Sequence, residues 1–193
     1  MKIYKIGIIG CGGIAQKMAA TLEKMKGVER YAVASRNQEK AEAFANKWEF
    51  TKAYGSYEEL ASDPEVDLIY IATPHAMHYD NAHMCIEKGK PVLCEKAFTA
   101  NVRQAEDLLA FAKEKGVFIT EAIWTRYMPL SLKIQELLKE GVIGTPYTLS
   151  ANLSYPISNK ERIIRPELAG GALLDIGVYT LNFAAMAFGS DIT

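Results

Sequence analysis

A glycine turn near the start of the chain, between an apolar run and a helical pattern, constrains the fold most. The apolar residues 5–9 lead into Gly10, and Gly12 and Ala15 complete a G-x-G-x-x-A spacing. Gly10 permits a tight turn, Gly12 leaves no Cβ in the path of an approaching phosphate, and Ala15 lets a helix pack closely on the strand. Because helix N–H groups would face the same point, the pattern predicts dinucleotide binding; the alternative is a structural turn.

Composition narrows the class of protein. The chain has 193 residues, 49% hydrophobic and 23% charged, which suffices for one full domain and part of another. A net charge of -1 without a basic run predicts neither a nucleic-acid nor a membrane partner. No apolar run is expected to reach the length of a membrane span, and no secretory signal is apparent, so we expect a cytoplasmic protein. Cys11, Cys85 and Cys94 lack metal-ligand spacing and are interpreted as reduced packing residues, with no metal site.

Apolar runs and helical patterns alternate over the first two thirds of the chain. The strand candidates are residues 5–9, 30–34, 67–72, 91–94 and 117–120. Near-continuous apolar strands separated by helices predict a doubly wound parallel sheet with both faces covered. We therefore assign residues 1–122 to a dinucleotide-binding Rossmann domain.

The pattern changes after residue 122. A helix through Leu137 and Leu138, an alternating strand at residues 147–155 and a helical pattern at 170–188 follow. Because a lone strand has nothing to pair with, we expect residues 123–193 to be part of a truncated α+β domain.

The residues after the second predicted strand bear on which dinucleotide would bind. An NAD site would carry an acid there for the ribose 2′-hydroxyl, but the chain has Ser35 and Arg36. These side chains suit a 2′-phosphate, which predicts NADP with NAD possible; the alternative is a surface arginine at a strand end.

Two further strand ends carry polar residues. Thr73, Pro74 and His78 follow the third strand candidate, where His78 is expected to face the nicotinamide, although Thr73 and Pro74 could simply start a helix. Glu95 and Lys96 follow the fourth. A lysine at this edge can hydrogen-bond a substrate hydroxyl and help to move its proton, whereas an isolated Glu-Lys pair is usually a solvated ion pair.

The last helical pattern places Asp175 and Tyr179 four residues apart on one face, with Gly171 and Gly177 expected to allow close backbone approach. A tyrosine hydroxyl near a lysine could exchange a proton with a carbonyl–alcohol pair, and Asp175 could orient a hydroxyl. The alternative is a helix-terminal Asp and a Tyr at the edge of the core.

Four motifs together resemble the Gfo/Idh/MocA oxidoreductase family. They are Gly10-x-Gly12-x-x-Ala15, Ala72-Thr73-Pro74 with His78, Glu95-Lys96, and Gly170-Gly171-x-Leu173-x-Asp175-x-Gly177. Residues 121–126 and 175–179 look most like the branch with dimeric dihydrodiol dehydrogenases, also described as NADP-dependent D-xylose 1-dehydrogenases. In much of the family a proline follows Glu-Lys, and a histidine ends the Asp-x-Gly-x motif; here Ala97 and Tyr179 stand there.

The resemblance implies an NADP-binding Rossmann domain followed by a mainly antiparallel substrate and dimerisation domain. It implies Lys96 and Tyr179 as a catalytic pair aided by Asp175, a pocket that includes Trp124 and Arg126, and a homodimer or higher homo-oligomer. Ala97 is expected to leave the corner that aims Lys96 looser than a proline would.

The resulting hypothesis is an NADP-linked oxidoreductase that transfers hydride to or from a sugar, polyol or trans-dihydrodiol. The alternative is a non-catalytic NADP-binding regulator on the same scaffold. The candidate cofactor-binding residues are Gly10, Cys11, Gly12, Gly13, Ile14, Ala15, Ser35, Arg36, Thr73, Pro74, His78, Glu95 and Lys96. The candidate substrate residues are Trp124, Arg126, Asp175 and Tyr179.

Overall fold

The structure is a computed structural model that describes residues 2–189. It divides into two units, Met1–Glu121 and Ala122–Thr193.

A six-stranded, fully parallel sheet forms the centre of the first unit. Its strand order is β3-β2-β1-β4-β5-β6, so the order reverses between β1 and β4. The strands are β1 (Tyr4–Ile9), β2 (Val28–Ala34), β3 (Lys52–Tyr54), β4 (Leu68–Ile71), β5 (Val92–Cys94) and β6 (Ile119–Glu121). The five predicted strands and the doubly wound parallel sheet are confirmed, whereas β3 was not foreseen.

Five helices connect these strands. They are α1 (Gly13–Leu22), α2 (Gln38–Trp48), α3 (Tyr57–Ser62), α4 (His78–Glu87), which a 3₁₀ turn (His75–Met77) precedes, and α5 (Val102–Lys115). The central strands are buried on both faces: Ile8, Ile9, Ile69 and Ile71 are inaccessible to solvent. All six strands point the same way, so the residues that follow them gather along one edge, where open α/β sheets bind ligands.

The helix N-termini differ in how they are capped. Asn37 caps α2 by accepting the Lys40 N–H at 2.8 Å, and Ser56 caps α3 by accepting the Glu59 N–H at 3.2 Å. Helix α1 instead starts after Gly12, with no side-chain cap among the described residues. The first N–H groups of α1 are thus not consumed by a cap, as binding of an external anion requires.

The regular structure in the described part of the second unit is helical, and an irregular stretch separates α6 from α7. It contains a 3₁₀ turn (Trp124–Tyr127), α6 (Pro129–Lys139), α7 (Glu161–Ile164), a second 3₁₀ turn (Pro166–Leu168), a π-helical turn (Leu173–Gly177) and α8 (Val178–Phe188). The strand predicted at residues 147–155 is wrong, because that segment forms no ladder. Alternation alone does not make a strand, since its backbone groups need a partner strand.

Burial in this second unit is sparse. Among its described residues only Ile123 and Asp175 are buried. The segment Pro166–Phe188 is long and apolar enough to cross a membrane, with a mean hydropathy of 1.4 over a window of 18 residues. The expectation that no apolar run reaches that length is therefore wrong. A single segment of this kind is weak evidence for a membrane span, because core helices of soluble proteins meet the same criterion.

Candidate functional site

The small residues of the glycine turn after β1 are of two kinds. Packing within the protein requires Gly10 and Ala15 to be small, but it does not require this of Gly12 and Gly13. Gly10 has φ +99°, and a Cβ there would lie 2.8 Å from the Ala72 carbonyl oxygen. Ala15 is fully buried, which permits the close approach of α1 to the sheet. At Gly12 and Gly13, by contrast, a Cβ would meet no atom within 4 Å. These two glycines border open space, as expected for a surface that a phosphate approaches.

The other two residues of this turn have different environments. Cys11 is half-buried, and burial raises the pKa of its thiol. Ile14, on the first turn of α1, is 37% exposed.

Two cations follow β2, Arg36 directly after the strand and Lys40 in the first turn of α2. Ser35 is buried and Arg36 is exposed. Burial raises the pKa of Tyr57, and the Arg36 guanidinium beside this phenol opposes the shift. The Lys40 ammonium likewise opposes the rise that burial produces in the pKa of Cys11. Lys40, in the first turn of α2, was missed by the sequence analysis because no motif spacing singles it out.

His78 lies inside the first unit, so the expectation that its ring faces a nicotinamide is wrong. The side chain is fully buried, with Nδ1 2.7 Å from the Ala97 carbonyl oxygen and Nε2 2.9 Å from that of Thr73. Burial lowers the pKa of His78, and both carbonyls oppose the shift. Thr73 also accepts a hydrogen bond from Asn81 at 3.1 Å, and Pro74 precedes the 3₁₀ turn. His78 therefore ties together two strand-end segments.

The residues after β5 form a tightly held corner. Glu95 is buried, which raises its pKa, while hydrogen bonds from the Tyr70 hydroxyl and the Lys96 N–H oppose the shift. The Lys96–Ala97 peptide bond is cis. The Phe98 N–H donates to Glu121 at 2.9 Å. The Phe98 hydrogen bond and the His78 contact to Ala97 both hold this corner, and the looseness expected from the missing proline stays a prediction.

The second unit brings two of the four candidate substrate residues, Trp124 and Tyr179, into contact. The Trp124 indole N–H donates to the Tyr179 hydroxyl oxygen at 3.3 Å, and the two rings meet edge to face. Asp175, in the π-helical turn just before α8, is 2% exposed and forms an ion pair with Arg162. Arg126 lies on the same 3₁₀ turn as Trp124, with its side chain exposed.

The glycines of the last motif play roles other than those expected. Gly171 has φ +122°, so conformation and not close approach requires it, since a Cβ there would meet nothing within 4 Å. The close approach is at Gly170, where a Cβ would lie 2.6 Å from the Ile163 carbonyl oxygen. At Gly177 the nearest atom is a side-chain carbon of Leu173 at 3.1 Å. Sequence reasoning found the cluster but could not tell which glycine served which purpose.

The strand order, the open glycine turn and the uncapped α1 together define a dinucleotide-binding Rossmann domain. Residues 4–122 match the family model described as "Oxidoreductase family, NAD-binding Rossmann fold", and residues 131–193 match the "GFO/IDH/MocA C-terminal domain". The chain belongs to the Gfo/Idh/MocA oxidoreductase family, and its first unit is an NAD(P)-binding domain.

Relatives and solved structures give the same result. The chain is 43% identical to a D-xylose 1-dehydrogenase (NADP(+)) of Hypocrea jecorina, over 93% of this chain and 51% of the relative. It is 41% identical to a trans-1,2-dihydrobenzene-1,2-diol dehydrogenase of Xenopus laevis, over 97% and 57%. A 3-ketoreductase from Actinomadura kijaniata in complex with NADP is 31% identical with a TM-score of 0.85, over 98% and 57%. The chain thus spans about half the length of these proteins.

Proposed function

We propose that the protein is an NADP-dependent dehydrogenase or reductase that acts on a hydroxyl or carbonyl of a sugar, polyol or trans-dihydrodiol. The observation that carries this proposal is the open glycine turn with Arg36 and Lys40 beside it. Two cations between the end of β2 and the first turn of α2 suit a 2′-phosphate, which NADP has and NAD lacks. The printed names of the relatives, a D-xylose and a dihydrodiol dehydrogenase, support the substrate class.

The residues of the first unit fit the cofactor. Gly12 and Gly13 leave room for a pyrophosphate, and the N–H groups at the start of α1 would bind it. Ser35, Arg36 and Lys40 would bind the 2′-phosphate. Bound NADP supplies a hydride acceptor or donor at C4 of the nicotinamide. His78 acts indirectly in this scheme, by fixing the backbone of Thr73 and Ala97.

Lys96 and Tyr179 would move the proton of the reacting hydroxyl. Lys96 follows β5, and its backbone is fixed by Glu95, which accepts the Lys96 N–H at 3.2 Å. The Trp124 indole N–H donates to the Tyr179 hydroxyl oxygen, which holds the phenol in a defined orientation, and a phenolic hydroxyl can donate a proton to a carbonyl or accept one from an alcohol. Asp175 would orient the substrate hydroxyl. Solved structures of the 3-ketoreductase include variants in which a lysine or a tyrosine is replaced.

Kinetics of the full-length protein test the proposal. NADP and NAD are each combined with D-xylose, D-glucose and a trans-dihydrodiol, and Tyr179→Phe and Lys96→Ala are compared with wild type. We expect turnover with NADP and a loss of kcat of about 10²- to 10⁴-fold in each variant, because each removes a group that transfers the proton.

Two matched variants control for unspecific effects. Tyr147→Phe removes a hydroxyl from an exposed tyrosine, and Lys88→Ala removes an exposed ammonium; both should retain wild-type turnover. Unchanged turnover in Tyr179→Phe and Lys96→Ala would refute their catalytic roles. Tight NADP binding without turnover on any substrate would instead favour the regulator.

Cytoplasmic location and a homodimer or higher homo-oligomer stay predictions. Cell fractionation tests the first, and sedimentation equilibrium of the full-length protein tests the second. A membrane-bound protein would contradict the first, and a monomer would contradict the second.

A further inference from the structure

The Asp175 carboxylate lies in an environment that demands a compensating charge. Its side chain is 3% exposed, and Arg162 Nη2 lies 3.2 Å from its Oδ2 atom. A carboxylate buried to this extent is expensive unless a cation and hydrogen bonds compensate for the lost water. Arg162 belongs to none of the motifs that the sequence suggested, and it comes from a polar segment thirteen residues earlier.

The backbone between Arg162 and Asp175 folds back on itself, and two of its segments approach each other closely. Helix α7 and the following 3₁₀ turn fold back so that the Gly170 N–H donates to the Arg165 carbonyl at 3.1 Å. A Cβ at Gly170 would lie 2.6 Å from the Ile163 carbonyl oxygen and 2.7 Å from that of Arg165. A side chain there would push the two segments apart. Gly170 therefore allows the segment carrying Arg162 to dock against the start of the last helix.

We propose that Arg162 is a positioning residue that fixes the Asp175 carboxylate for a substrate hydroxyl. This inference rests on the proposed function, in which Asp175 orients the substrate. Asp175 lies in a π-helical turn, a feature frequently found at functional sites, and Tyr179 follows on the next turn. The Arg162 ion pair comes from a separate segment, so it adds a restraint on the carboxylate rotamer that does not depend on the helix itself.

Arg165 provides a matched control in the same segment. It is 51% exposed, compared with 45% for Arg162, and its ion-pair partners Glu161 and Glu167 are themselves exposed. Exposed ion pairs contribute little. Replacing Arg165 therefore removes the same side chain from the same segment without depriving a buried carboxylate of its cation.

The test compares Arg162→Ala and Arg165→Ala in the full-length protein, with NADP and the best substrate found for wild type. We expect Arg162→Ala to lose about 100-fold in kcat/KM, since misplacement of an orienting group has an effect of this size. Millimolar guanidinium should restore part of the loss, because it replaces the missing cation. Arg165→Ala should remain within about twofold of wild type and should not respond to guanidinium. Arg162→Gln serves as a second variant if the alanine variant unfolds.

A double-mutant cycle with Asp175→Asn shows whether Arg162 acts through Asp175. We expect the double variant Arg162→Gln/Asp175→Asn to be no slower than Asp175→Asn alone, since both changes break one unit. The inference would be overturned if the losses of the two single variants multiplied in the double variant, or if the Arg162 variants had wild-type kinetics. Either result would leave the proposed function intact. A wild-type protein that turns over no substrate would overturn both.

Discussion

At the scale of single residues, Arg36 and Lys40, which follow β2, are expected to make the protein bind NADP more tightly than NAD. We expect Arg36→Ala and Lys40→Ala each to weaken NADP binding about tenfold or more, because a hydrogen bond between charged groups contributes roughly 1.5–3 kcal/mol. NAD has no 2′-phosphate, so its dissociation constant should barely change and serves as the internal control. Fluorescence titration of both dinucleotides measures this. Equal losses for NADP and NAD would contradict the assignment.

The buried His78 predicts a pH-dependent stability. Burial lowers its pKa in the folded state, so the unfolded chain binds the additional proton when the pH falls below about 6.5. The contribution is therefore present above pH 6.5 and lost as the pH falls. We expect the free energy of unfolding to decrease between pH 7 and 5, and to decrease less in His78→Gln. Denaturant titrations at pH 7, 6 and 5 measure this.

The matched control for that experiment is His83→Gln. His83 stacks on Phe111 with ring centroids 4.1 Å apart and is not fully buried. This variant should keep the wild-type pH dependence. An identical slope in wild type and His78→Gln would show that His78 is not its source.

Residues in contiguous motifs were easier to identify from the sequence than residues that act through tertiary contacts. The glycine turn was predicted because Gly10 and Ala15 lie in one short pattern. The orientation of His78 was predicted wrongly, because spacing does not reveal that both ring nitrogens meet carbonyl oxygens. Lys40 and Arg162 were missed, because their significance depends on neighbours that only the folded chain supplies.

At the scale of elements, a buried aspartate fastens β3 to α3. Asp63 follows α3 and accepts hydrogen bonds from Lys52 at 2.8 Å and Tyr54 at 2.7 Å, both on β3, and from the Glu65 N–H at 2.9 Å. Burial raises the pKa of Asp63, but the bonds from Lys52 and Tyr54 outweigh it and lower the pKa to about 2. Asp63 thus links two side chains of β3 to the end of α3, in addition to the pairing of β3 with β2.

Asp63→Asn should destabilise the protein by about 2 kcal/mol at pH 7, because it removes the charge from this network. Because the folded-state pKa is below the unfolded value of about 3.9, the contribution is present above that pH and lost as the pH falls towards 2. Denaturant unfolding of wild type and variant at pH 7 and 3 measures both effects. Asp107→Asn, at an exposed tyrosine contact, should change stability by less than about 0.5 kcal/mol. Equal effects of the two substitutions would contradict the network.

Strands of the sheet that carry an apolar run were predicted, and the strand that lacks one was missed. The five predicted strands of the sheet were found because apolar runs and helix ends agree along the chain. Strand β3 (Lys52–Tyr54) was missed because it lacks the apolar run that marked β5 and β6, which are equally short. The error at residues 147–155 has the opposite origin: the alternation is present, but pairing depends on other segments.

At the scale of the whole molecule, the two units differ sharply in burial. The first contains a continuous core from Ile9 and Tyr31 to Leu108, whereas in the second only Ile123 and Asp175 are buried among the described residues. Because burial of apolar surface drives folding, we expect residues 1–121 alone to unfold cooperatively and to be stabilised by NADP. Residues 122–193 alone should show no cooperative transition.

Thermal unfolding followed by circular dichroism, with and without NADP, tests this difference between fragments. A scrambled sequence of residues 122–193 provides the baseline for a chain without a core. A cooperative transition in residues 122–193, or its absence in residues 1–121, would contradict the prediction.

The open space beside Gly12 has an evolutionary consequence. A methyl group there would touch no protein atom, and the φ of -78° suits any residue, so Gly12→Ala should leave the melting temperature unchanged while abolishing NADP binding. A library sorted for thermostability would keep such clones, whereas one sorted for cofactor capture would discard them. Gly10 differs, since its positive φ and the nearby Ala72 carbonyl would penalise alanine in both screens. Selection for cofactor binding alone therefore keeps Gly12, whereas selection for stability also keeps Gly10.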